Sequence, residues 1–155
     1  MSAELAARVI SPYVDPETAE VMVAVAGAES GFNPDALGDR FYGPISCRGY
    51  ESGGLWQVHM GSHAELLVSM GAPEDPCGMM EWLLHPGNNA RAAVRVLQIQ
   101  GFPAWTTFRT GAYLEFLPQA RQAVASLARP ALAWSVAIPL ALLFGWGWRR
   151  WMNHD

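Results

Sequence analysis

Asp15-Pro-Glu-Thr-Ala-Glu-Val-Met-Val-Ala-Val-Ala-Gly-Ala-Glu29-Ser30-Gly31 is the stretch whose reading decides the fold. Asp15 followed by Pro16 is a helix start, an N-cap and then a proline at the first helical position, where its missing N–H costs nothing. The run from Val21 to Ala28 is apolar on every side, so this helix is expected to be buried, stopping near Gly31. Glu29 then stands at the C-terminal end of an apolar helix. Burial and the negative end of the helix dipole both disfavour an ionised carboxylate there. A carboxyl kept protonated is what a general acid requires. Position alone proves little, because a glutamate at a helix end is commonly a solvated surface residue.

Working outward, the spacing predicts further helices. Ser62-His-Ala-Glu65 reads as a capping box opening a helix through Leu66, Leu67 and Met70. Asp75-Pro76 repeats the cap-then-proline signal ahead of Met79, Met80, Trp82 and Leu83. An amphipathic segment from Pro86 to Gln100 stops at Gly101, and a final helix is expected over Leu117 to Ala128. Between Asn33 and Gln57 five glycines and Pro44 break any helical period, while Phe41, Tyr42, Ile45 and Tyr50 suit short strands. A small hairpin-like lobe beside the helices is expected.

Four ordered motifs change the standing of Glu29. Glu29-Ser30-Gly-Phe-Asn-Pro34 is followed by Gly54-Leu-Trp-Gln-Val58, then Asn89-Ala-Arg-Ala-Ala93, then Gly111-Ala-Tyr113. In order and approximate spacing the chain resembles the soluble-lytic-transglycosylase and goose-type lysozyme superfamily, especially its phage-encoded forms, across about residues 15 to 128. The resemblance implies an α+β fold, a mainly helical lysozyme-like domain with a small β-lobe. It also implies Glu29 as catalytic acid/base, with Ser30, Gln57, Asn89 and Tyr113 as substrate-binding residues in or near a cleft. The reaction implied is cleavage of the β-1,4 bond between N-acetylmuramic acid and N-acetylglucosamine in peptidoglycan. No cofactor is expected, since proton transfer and positioning suffice.

The resemblance leaves a choice of chemistry. A hydrolase needs a second carboxylate to position water or trap the sugar cation, whereas a lytic transglycosylase manages with one. Asp39 and Glu51, both in the glycine-rich lobe, are the candidates for the second. Extra residues between Asp39 and Gly54, relative to the goose-type pattern, loosen the correspondence for Asp39, and one clear carboxylate favours the transglycosylase. Phe32, Tyr42, Tyr50, Trp56 and Trp105 suit sugar stacking or ordinary packing alike. Cys47 and Cys77 fit a disulfide, free thiols or, with His59 and His63, a zinc site. With no Cys-x-x-Cys pair, no metal is assigned.

The composition is 51% hydrophobic and only 15% charged, against about 25% charged in an ordinary soluble domain. Much of the excess lies between Pro130 and Trp148, which holds no charged residue, is flanked by Arg129, Arg149 and Arg150, and carries Trp134, Trp146, Trp148 and, just beyond, Trp151. This reads as a transmembrane helix over 130–148 following a working domain of residues 1–129, with a short tail at 149–155. The start, Met1-Ser-Ala-Glu-Leu-Ala-Ala-Arg8, lacks the basic, apolar pattern of a secretory signal. A net charge of -4 speaks against nucleic acid as a partner. The partners expected are peptidoglycan, a lipid membrane, and other virion or envelope proteins. The location expected is a virion's internal membrane or, failing that, a bacterial inner membrane with the domain facing the periplasm.

Overall fold

A computed structural model describes residues 2–40 and 43–128 of the chain. The segment 130–148 and the tail 149–155 lie outside the described residues, as do Phe41 and Tyr42. Among the described residues no helix is long and apolar enough to cross a membrane.

The helices are α1 (Ala3–Ile10), α2 (Pro16–Ser30), α3 (Met60–Ser69), α4 (Pro76–Leu84), α5 (Pro86–Gln100), α6 (Thr106–Arg109) and α7 (Leu117–Ala128). Two short 3-10 turns, Phe102–Ala104 and Ala112–Glu115, flank α6. The deciding helix forms as its sequence dictates. The Asp15 side chain accepts from the Thr18 backbone N–H, and Gly31 closes the helix in the left-handed conformation at φ 60°. Met22 through Gly27 are all buried, which makes α2 the axis of the domain. α1 lays Ala3, Ala6, Ala7 and Ile10 against it and α7 adds Ala120, Ala123 and Val124, so small side chains bring the helices close together. Gly27 is needed for a second close approach. A Cβ there would meet Phe116 Cδ1 at 2.5 Å and Phe32 Cζ at 2.7 Å, two rings that pack edge-to-face with each other beside α2.

The expected lobe is a three-stranded antiparallel sheet in the order β1 (Leu37–Arg40), β2 (Tyr50–Gly53), β3 (Val58–His59). Leu37 pairs with Gly53 and Arg40 with Tyr50, while Ser52 pairs with His59. A tight turn at Arg48-Gly49, both with positive φ, brings the chain back from Cys47 to Tyr50. Ile45, expected to serve a strand, lies in the loop before that turn. Cys47 and Cys77 form a disulfide, which staples the lobe to the start of α4 and removes both sulfurs as ligands for zinc.

One helix start differs from the sequence reading. α3 begins at Met60 and not at Ser62, because the His59 imidazole Nδ1 accepts from the Ser62 backbone N–H and caps the helix directly off β3. Gly61 and Ser62 therefore belong to the first turn of α3, between His59 and His63, and do not interrupt it.

Candidate active site

Glu29 is half-buried near the C-terminal end of α2. Its Oε1 accepts a hydrogen bond from the Thr107 hydroxyl at 2.6 Å, across 78 residues of sequence. α6, which carries Thr107, is held from both sides. Trp105, just before it, donates its indole N–H to the Trp56 carbonyl at 2.9 Å, and Trp56 donates its own to the Met22 carbonyl in α2 at 2.7 Å. Phe108 stacks between Phe102 and Tyr113, with ring centroids 5.0 and 4.8 Å away. Tyr113 thus belongs to an aromatic stack that braces α6.

The remaining motif residues converge on the turn Gly53-Gly54-Leu55-Trp56-Gln57, which joins β2 to β3. The Ser30 hydroxyl lies 2.9 Å from both the Ala26 and the Leu55 carbonyls, latching the end of α2 to this turn. Asn89 is fully buried on α5. Its Oδ1 accepts from the Trp56 N–H at 3.0 Å and its Nδ2 donates to the Gly53 carbonyl at 2.9 Å. Gly54 has φ 80°, and a Cβ there would lie 2.5 Å from Asn89 Cγ, so the clamp requires glycine. Gln57, a non-glycine residue at φ 46°, spends its amide nitrogen on the Ala36 and Gly54 carbonyls. The expectation of direct substrate contact is therefore corrected for Asn89. Its amide is satisfied inside the protein and has no exposed surface.

The two candidate second carboxylates have different fates. Glu51 is 7% exposed, and its Oε2 lies 3.2 Å from His59 Nε2. Because His59 Nδ1 is accepting from Ser62, Nε2 is the nitrogen that carries the hydrogen, and the contact is a donation to Glu51. Glu51 is therefore buried and partnered within the β-lobe. Asp39 is exposed, in the left-handed conformation at φ 52°, and accepts a short hydrogen bond from the Ser52 hydroxyl. Nearby, burial first and the neighbouring His59 second hold His63 below the ordinary histidine range.

Of the residues expected around Glu29, Ser30 adjoins it in the chain and Tyr113 stacks on Phe108, the residue after Thr107. The structure gathers Gln57 and Asn89 on the adjoining turn and keeps Asp39 on the β-lobe. The sequence reading missed Thr107. Its only signal was position, six residues ahead of Tyr113 in the last motif. A groove lined by Pro44, Ile45, Ala64, Val68, Pro76 and Met79 runs between the disulfide-linked loop, α3 and α4, and holds none of these residues.

Among curated proteins and among solved structures nothing matches the chain. A family model described as a lysozyme-like domain matches residues 9–107, a span that takes in Glu29, the β-lobe, Asn89 and Thr107. The chain belongs to this lysozyme-like family and thereby, at the level of the family, to the glycosidases and lytic transglycosylases that degrade peptidoglycan.

Proposed function

We propose that the chain is a peptidoglycan lytic transglycosylase that cleaves the β-1,4 bond between N-acetylmuramic acid and N-acetylglucosamine, with Glu29 as its acid/base. Glu29 protonates the glycosidic oxygen, and the C1–O bond breaks with its electron pair going to the leaving sugar. The muramyl 6-hydroxyl oxygen then bonds to C1 as its proton returns to Glu29, closing a 1,6-anhydro ring and restoring the catalyst. The observation that carries this reading is the disposition of the carboxylates. Glu29 is half-exposed and oriented by Thr107, while Glu51 is buried against His59. A one-carboxylate mechanism suits that arrangement.

The hydrolytic alternative rests on Asp39, whose exposed carboxylate is oriented by Ser52. Mass spectrometry of the released muropeptides separates the two, because anhydro products are lighter than reducing-end sugars by one water. Anhydro products are expected; reducing ends alone would assign the chain to the lysozymes.

The location belongs to the same proposal. The domain of residues 1–129 works while tethered to a membrane through 130–148, in a virion that opens the wall during genome entry. Absence of the protein from purified virions would exclude that setting and favour a cellular secretion or conjugation machine. The disulfide supports a working compartment outside the reducing cytoplasm.

A further inference from the structure

We infer that Thr107 is a positioning residue for Glu29, fixing which carboxyl oxygen delivers the proton. The inference rests on the acid/base reading of Glu29 and adds to it a residue that no motif of the sequence pointed to. The Thr107 hydroxyl has one hydrogen, and it is directed at Oε1 at 2.6 Å. A neutral carboxyl has one oxygen that bears the proton and one that accepts. Donation from Thr107 makes Oε1 the acceptor, so the transferable proton sits on Oε2. After transfer the same hydroxyl still donates to the carboxylate, where a hydrogen bond is stronger than to the neutral acid. The carboxyl plane is thereby held through both halves of the cycle.

A single hydroxyl can do this only if its own backbone is fixed, and the indole relay fixes it. The chain of donors runs from Trp105 to the Trp56 carbonyl and from the Trp56 indole to Met22, so it begins beside Thr107 and ends on the helix that carries Glu29. Trp56 is fully buried and Trp105 is 6% exposed, so water competes little for either bond. The Phe102–Phe108–Tyr113 stack holds the other flank of α6. Thr107 and Glu29 are thus two points on one closed frame.

The test compares Thr107→Val, which keeps the shape and removes the donor, with Thr107→Ser, which keeps the donor. Both are made in the full chain and assayed on a soluble, defined peptidoglycan oligosaccharide. Thr107→Val is expected to lower kcat roughly 10- to 100-fold, the worth of one hydrogen bond to a charged group. KM stays unchanged and Thr107→Ser recovers most of the rate. Wild-type kcat in Thr107→Val, or a Thr107→Ser enzyme as slow as Thr107→Val, overturns the inference. Thermal unfolding is run on each variant, and Thr107→Ala replaces the valine form if that one does not fold. Glu29→Gln is assayed in parallel. An active Glu29→Gln enzyme defeats the acid/base reading itself, whereas an inactive one beside a fully active Thr107→Val defeats only the role given to Thr107.

Discussion

The end of α2 and the turn that faces it are built on opposite principles. The turn from Gly53 to Gln57 is over-determined. Asn89 clamps it from below, Gln57 braces its exit, Ser30 latches its middle carbonyl, and two indoles pass through it. Among the described residues Glu29 has one side-chain partner, Thr107, and it remains half-exposed. Rigidity is concentrated in the turn, and the proposed acid is held, among the described residues, by a single side-chain contact.

The strongest way to break this comparison is at Glu29 itself. Glu29→Gln is expected to lower wall-lytic activity by roughly 10²- to 10⁴-fold, the usual contribution of general acid–base catalysis, while the unfolding midpoint stays close to wild type. A large loss of stability instead would mean that Glu29 belongs to the scaffold. Next in size, Asn89→Ala strips partners from the Trp56 N–H and the Gly53 carbonyl in a buried site. Urea unfolding should register a loss of about 3–4 kcal/mol, and a change under about 1 kcal/mol would show that the turn does not depend on its clamp.

The disulfide comes third. It closes a separation of 30 residues, for which the restriction of the unfolded chain is worth about 3.5 kcal/mol at most. Reduction, or a Cys47→Ser/Cys77→Ser double variant, should lower the unfolding midpoint accordingly. It should spare the Glu29–Thr107 contact, so residual activity at low temperature is expected to persist.

The smallest effect is at His63. Its pKa is depressed in the folded state by burial and by His59. Its contribution to stability is therefore fully present above the unfolded histidine value, about 6.5, and is lost as the pH falls through that value toward the folded one. A stability–pH curve for His63→Gln should be flatter than wild type on the acid side of neutrality; parallel curves would locate the acid sensitivity elsewhere.

How much of this was legible depended on whether the information was local. α2, α4 and α5 were readable because their caps or stops are written beside them, in Asp15-Pro16, Asp75-Pro76, Gly31 and Gly101. The start of α3 was not, because a histidine took the capping role from a serine that fitted the usual pattern better. α1 announces itself only by apolar spacing at Ala3, Ala6, Ala7 and Ile10, and Gly101, Pro103 and Gly111 hid the short helix α6. In the site, Glu29 was marked by its motif. The burial of Asn89 and Glu51, the pairing of Cys47 with Cys77 and the approach of Thr107 are all products of tertiary packing, between groups 30 or more residues apart or enclosed on every side. No neighbour in sequence records them.

The Ser30 latch carries one last implication. The residue adjoining the proposed acid is fastened to the Leu55 carbonyl of the opposite lobe. Any spreading of the lobes to admit a thick, cross-linked polymer must then either sever that bond or drag the end of α2 along with it. While that bond holds, gape and aim are a single mechanical coordinate, and the mouth widens only by re-pointing its tooth.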